Sequence, residues 1–133
     1  MIDASTALAW CFPDEASEYA DAVLMALEGK TILVPSVWSL EIANAVLVGE
    51  RKKRLRQPEV QRFITLLESL SLVPDTQSAG RHVNNVLPLA REYNLSAYDA
   101  AYLELAIRYD APLATLDGKL QRAAQQAGVN TFC

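Results

Sequence analysis

The chain has 133 residues, of which 51% are hydrophobic and 21% charged, with a net charge of −4. Those values suit one soluble globular domain that buries a core without disulfides or a structural metal. They exclude a bilayer span, because no apolar run approaches the ~18–20 residues required, and the acidic balance argues against general attraction to nucleic acid. No basic segment followed by an apolar one opens the chain, so no leader peptide is visible. Cys11 and Cys133 are isolated and lack metal spacing. Cys11 reads as a small core residue and Cys133 as incidental, which fits a reducing cytoplasm.

In chain order, Met1-Ile2 begins a first strand that Asp3 ends. A helix follows over 5–11, and a second starts at Pro13-Asp14 and runs to about residue 28, with proline at a tolerated first-turn position. Thr31 to Val34 is a short β-branched strand stopped by Pro35. Residues 36 or 37 through 51 read as a long helix, and Pro58-Glu59 open another that reaches about residue 70. Leu72-Val73 is a strand. Residues 77–93 are helical, with Pro88 predicted to divide them in two. A helix over 96–109, a strand over 113–116, a helix over 119–127 and a last edge strand over 129–132 complete the pattern. Strands alternating with helices imply right-handed crossovers and a mostly parallel central sheet covered on both faces, a three-layer α/β/α sandwich in a single domain over 1–133. In such folds ligands bind beyond the C-terminal ends of the strands.

Four carboxylates stand where an acid is structurally awkward. Asp3 ends the first strand and Asp117 ends the strand over 113–116, so both belong on one rim. Glu41 shares a helix face with Asn44, and these are the only polar side chains from Leu40 to Val48. A helix apolar nearly all round is expected to be buried. Asp99 opens the apolar run Asp99-Ala100-Ala101-Tyr102-Leu103. Each acid also has a plain structural reading. Asp3 suits a helix N-cap, Ser96-x-x-Asp99 approximates a capping box, Asp117-Gly118 is a turn signal, and Glu41 with Asn44 makes a surface stripe. Four acids converging on one pocket would instead form a hard, all-oxygen site for Mg²⁺ or Mn²⁺. Ser5 would donate a hydrogen bond there, Asn44 would orient its neighbour, and Thr115 points to the side of Asp117.

Taken together, these residues resemble the PIN-domain ribonucleases, and within them the VapC-type toxins of bacterial toxin–antitoxin pairs. The matching segments are Ile2-Asp3-Ala4-Ser5, Pro35-Ser36 through Glu41-Ile42-Ala43-Asn44-Ala45, Leu95-Ser96-Ala97-Tyr98-Asp99-Ala100-Ala101-Tyr102-Leu103-Glu104-Leu105-Ala106 and Leu113-Ala114-Thr115-Leu116-Asp117. The third is the most specific. The resemblance makes Asp3, Glu41, Asp99 and Asp117 the catalytic and metal-holding acids, with Asp117 touching metal only through water, and Ser5, Asn44 and Thr115 the polar residues around the metal. It implies Mg²⁺- or Mn²⁺-dependent hydrolysis of RNA phosphodiesters by an endonuclease. It also implies an antitoxin partner that inserts a basic side chain among the acids, and a homodimer with Tyr98, Tyr102 and Leu105 near the partner surface. The chain departs from the family in having only Met1 and Ile2 before the first acid, so the first strand should be very short.

Other chemistries fit less well. His82 is the only histidine, so a two-histidine ribonuclease is excluded, and no phosphate-cradling glycine loop or zinc spacing is present. An aspartyl phosphatase commonly needs a second acid two residues after the first, where this chain has Ser5. A phosphate-accepting receiver domain is poorly matched by Val73-Pro74-Asp75 and Lys119. A PIN nuclease in RNA processing and an inactive RNA- or protein-binding module remain as alternatives. The cluster Arg51, Lys52, Lys53, Arg54 and Arg56 holds five of the twelve basic residues, and reads either as a solvated helix end or as an RNA-binding patch.

Overall fold

The computed structural model describes residues 1–132; Cys133 lies outside them. The order is α1 (Ala4–Ala9), a 3₁₀ turn (Pro13–Glu15), α2 (Glu18–Ala26), β1 (Thr31–Val34), α3 (Trp38–Arg51), α4 (Gln57–Ser69), β2 (Ser71–Pro74), α5 (Ala79–Tyr93), α6 (Ala97–Tyr109) and α7 (Gly118–Gln126). The α/β reading holds, and every strand pairing is parallel. β1 and β2 form a ladder from Thr31 opposite Ser71 to Val34 opposite Pro74. The remaining expected strands are reduced to single bridges, Ile2 with Ala114 and Leu113 with Thr131. With Met1 and Ile2 alone before Asp3, the first strand contributes one bridge, closed by Ala114 N–H to the Met1 carbonyl at 3.0 Å and Asp3 N–H to the Ala114 carbonyl at 3.1 Å.

Two predicted helices differ from those observed. The one expected over 13–28 is a 3₁₀ turn followed by α2, because Ala16 takes an extended conformation and Ser17 caps afresh. The Ser17 hydroxyl accepts from Ala20 N–H at 3.0 Å, a local bond that competes with continuing the first turn. Conversely, Pro88 does not divide α5. Pro88 and Asn84 four residues earlier are both exposed, so the carbonyl that loses its donor stands on the solvated side of the helix. The inward side, with Val86 buried and Leu89 and Ala90 packed on the core, holds the helix together.

α6 is the axis of the molecule. Ala100, Ala101, Tyr102, Leu103, Glu104, Leu105 and Ala106 are all buried, so the helix is enclosed on every side. Burying each of the large apolar side chains is worth roughly 1.5–3 kcal/mol. Ser96 caps its start, the hydroxyl accepting from Asp99 N–H at 3.1 Å, and Asp110 ends it in the left-handed region at φ 49°. Glu104 is tolerated in the core because Arg108, one turn on, grips it at 2.8 Å and also grips Asp75 just beyond β2 at 2.6 Å. That fork ties α6 to the exit of β2.

α3 contradicts its expected burial. Only Trp38, Ile42 and Gly49 are buried, while Leu40 is 70% exposed and Leu47 and Val48 also face outward. Gly49 has a packing role: a Cβ there would stand 2.6 Å from Cε1 of Phe12, so the ring closes directly on the helix backbone. Cys11 is buried and free, as its apolar setting predicted.

Candidate active site

All four acids lie at helix N-termini. Asp3 is the N-cap of α1, Glu41 and Asp99 sit in the first turns of α3 and α6, and Asp117 is the N-cap of α7. Free backbone N–H groups and the helix dipole favour anions at such positions. The capping readings and the shared-site reading are therefore compatible.

Asp3 is the hub and is only 5% exposed. Its Oδ1 accepts from Ser5 Oγ at 2.7 Å, from Thr6 N–H at 3.1 Å and from Thr6 Oγ1 at 3.2 Å. Its Oδ2 accepts from Ser5 Oγ at 2.9 Å and from the Thr115 hydroxyl. Thr115 Oγ1 in turn accepts from Asp117 N–H at 2.9 Å, and Ser5 Oγ accepts from Leu116 N–H at 3.0 Å. Two hydroxyls thus stitch the strand-to-helix turn at Asp3 to the one at Asp117, which places both acids on one rim. Asp117 uses Oδ1 to cap α7, accepting from Lys119 N–H at 2.9 Å and Leu120 N–H at 3.3 Å, and no described residue donates to Oδ2.

Glu41 approaches from α3, held by the Tyr102 hydroxyl, which donates to Oε1 at 2.9 Å. Asp99 approaches from α6. The acids register one another through their ionisation. Burial raises the Asp3 carboxyl above its ordinary value, against hydrogen bonds from Thr115, Ser5 and Thr6 that favour the anion. Burial raises Glu41 as well, opposed by the Tyr102 hydrogen bond and reinforced by the charges of Asp99 and Asp3. For Asp99, burial is reinforced by the charges of Asp117 and Asp3. Burial, with the neighbouring Glu41, holds the Tyr102 phenol far above its usual range, so it remains a donor.

Repulsion and desolvation of this kind are relieved by a cation. The donor set is all oxygen, which suits Mg²⁺ or Mn²⁺. Among the described residues, no three His, Cys, Asp or Glu side chains are grouped closely enough to enclose an ion. Mg²⁺ commonly takes one or two carboxylates directly and keeps several waters. Asp3, Glu41 and Asp99 offer the carboxylates, and the unengaged oxygen of Asp117 suits contact through water. The cleft of about 400 Å³ lined by Trp10, Phe12, Phe63 and Leu66 includes none of the four, so the acids occupy a rim outside that cavity.

The other predicted residues divide. Ser5 and Thr115 are in the network, whereas Asn44 is exposed and bonds to none of the acids. Arg54 is committed elsewhere, pairing with Asp14 at 3.0 Å and lying 4.4 Å over the Phe12 ring. Arg56 pairs with Glu59 at 3.2 Å. Arg51, Lys52 and Lys53 are exposed around a left-handed turn at Lys53. Tyr98 is 61% exposed, but Tyr102 and Leu105, expected near a partner surface, are core residues. Two site residues escaped the sequence reading. Thr6 stands at the capping distance of three from Asp3, a usable signal; Tyr102 stands three after Asp99, and its role depends on α3 being alongside.

The comparisons with known proteins bear on the family and the fold. The PIN domain family model matches residues 1–126. Ribonuclease VapC3 of Pyrobaculum aerophilum is 31% identical over 121 residues, covering 90% of this chain and 90% of that protein. The crystal structure of PAE2754, also from Pyrobaculum aerophilum, superposes with a TM-score of 0.67 at 25% identity, covering 92% of this chain and 76% of the other. The chain therefore belongs to the PIN-domain family and resembles its VapC-type members.

Proposed function

We propose that the protein is an endoribonuclease dependent on Mg²⁺ or Mn²⁺, and the toxin of a toxin–antitoxin pair. The observation that carries this reading is the placing of four carboxylates at four helix N-termini, with Glu41 and Asp99 each raised in pKa by burial and by the charges of other members of the set. The likeness to a protein named Ribonuclease VapC3 supports RNA as the substrate. Asp3, Glu41 and Asp99 would hold the ion, and Asp117 would orient a water bound to it. A divalent ion held there supplies an acidified water and offsets charge on a phosphate. Ser5, Thr6 and Thr115 hold Asp3 in place and favour its anion against burial, and Tyr102 holds Glu41. Arg51, Lys52 and Lys53, left free by the fold, are the phosphate-contacting side chains, with Arg56 beside them.

The direct test is cleavage of single-stranded RNA. Cutting is expected with Mg²⁺ or Mn²⁺ and none with chelator; undiminished cleavage in chelator would sink the metal mechanism. Replacing Arg51, Lys52 and Lys53 with Gln should weaken RNA binding and reduce the salt slope by about 2, at ~0.7 per single-strand phosphate contact. An unchanged slope would return the cluster to a solvated helix end. Growth arrest on expression, absent for Asp99→Asn, tests the toxin role.

A protein partner and a cytoplasmic location belong to the same proposal. Among the described residues no helix is long and apolar enough to cross a membrane. An apolar cleft of about 280 Å³, lined by Val37, Val83, Val86, Leu87, Tyr98 and Ala101, supports a covering protein surface. Sedimentation at micromolar concentration is expected to show a homodimer; a monomer throughout would remove that partner and leave the antitoxin.

A further inference from the structure

The metal-site reading accounts for Glu41 but leaves open why a phenol is buried beside it. Tyr102 is 1% exposed and is among the largest fully buried side chains. It lies three residues after Asp99 on α6, so the two side chains share a helix face one turn apart. A phenol carried into a core must find a hydrogen-bond partner. Here the partner is Glu41, 61 positions away in the chain, at 2.9 Å. The bond occupies Oε1; Oε2 accepts from no described protein group. The backbone of Ala4, next to Asp3, also bears on the Tyr102 hydroxyl. The hydroxyl therefore stands among the elements that carry three of the four acids, although it does not itself face solvent.

We propose that Tyr102 is a positioning residue that fixes the Glu41 carboxylate beside Asp99, so that Oε2 is presented to the divalent ion. This rests on the metal-dependent reading of the site. The geometry supports it in two ways. First, Glu41 has three side-chain torsions, and among the described residues Tyr102 alone tethers it by a hydrogen bond, so without that bond several rotamers compete. Second, the tether and Asp99 lie three residues apart on α6, so the Tyr102 bond ties the Glu41 carboxylate on α3 to the helix that carries Asp99. Partners that orient a metal ligand in this way typically matter 10–100-fold to affinity.

The test is Mn²⁺ binding by calorimetry, without RNA. Tyr102→Phe keeps the ring and removes only the hydroxyl. Its Mn²⁺ dissociation constant is expected to rise by about tenfold or more, with the melting temperature in chelator little changed. Glu41→Gln should lose affinity too, and adding Tyr102→Phe to it should cost nothing further, since the tyrosine acts through that carboxylate. An unchanged constant in Tyr102→Phe, or full additivity in the double variant, overturns the proposal. If Tyr102→Phe fails to fold, the ultraviolet tyrosine spectrum of the wild type carries the test. Mn²⁺ should perturb it, and Glu41→Gln should abolish the change; a spectrum that ignores Mn²⁺ is a refutation. A wild type that binds no Mn²⁺ refutes the metal site itself, which separates that failure from this one.

Discussion

Asp99→Asn is expected to lower RNA cleavage by about 10²–10³-fold, the scale lost when one electrostatic contact to a developing charge is removed, while raising the melting temperature measured in chelator at neutral pH. The second half follows from the sign of the linkage. The Asp99 carboxyl has its pKa raised in the fold, by burial first and then by the charges of Asp117 and Asp3. Such a group binds its proton more tightly folded than unfolded. Its favourable contribution is present below the unfolded value and is lost as pH rises through the folded one. At neutral pH the ionised group therefore costs stability, and a neutral isostere removes that cost. The gain should vanish in acid, where the aspartate is protonated in both states. Cleavage and thermal unfolding on the same preparation check both halves. A variant that melts lower in chelator at neutral pH would refute the repulsive site, and one that still cleaves normally would remove Asp99 from the chemistry.

Asp3→Ala should behave oppositely with respect to stability. Asp3 is also desolvated, so deleting its charge recovers something. Against that stand its hydrogen bonds from Ser5, Thr6 and Thr115. Losing an N-cap costs ~1 kcal/mol, and each buried donor left without its acceptor costs ~1–3 kcal/mol. The donors outweigh the recovered desolvation, and a net loss of about 2–3 kcal/mol is expected, close to 10 °C for a chain of this size. Asp3→Asn retains an oxygen for the Thr6 amide and should lose less than half as much. Both should abolish Mn²⁺ binding. Equal melting temperatures for wild type and Asp3→Ala in chelator would show that the hydroxyl network does not hold the two turns together.

The contrast between these acids shows how far local reasoning reaches. Asp3 and Asp99 suggested a cap in the sequence and Asp117 a turn, and each is at or beside a cap in the structure. Their burial and mutual repulsion depend on helices that arrive from distant parts of the chain. Glu41 was the least legible. Its apolar surroundings suggested a buried helix, yet α3 turns Leu40, Leu47 and Val48 outward. Its acid reaches the site because it belongs to the first turn of that helix. Arg54 belonged to a basic run in the sequence, and packing against Phe12 and Asp14 withdraws it from that run.

Properties set within about four residues could be read directly. These include β1 at Thr31–Val34, the existence of α6 as a helix, the turn at Asp117 and the shortness of the first strand. Hydrogen bonding, chain stiffness and side-chain periodicity act over that distance and are written in neighbouring residues. The site is built from the other kind of contact. Thr115 meets Asp3 across 112 positions, Tyr102 meets Glu41 across 61, and Arg108 meets Asp75 across 33. No local pattern specifies such pairs, because which hydroxyl meets which carboxylate is settled by how helices and strands pack around α6. The sequence thus supplied four acids and the ends of the elements that carry them. Packing brought those ends within reach of one another's charge, with Asp3 buried and Glu41, Asp99 and Asp117 half-buried.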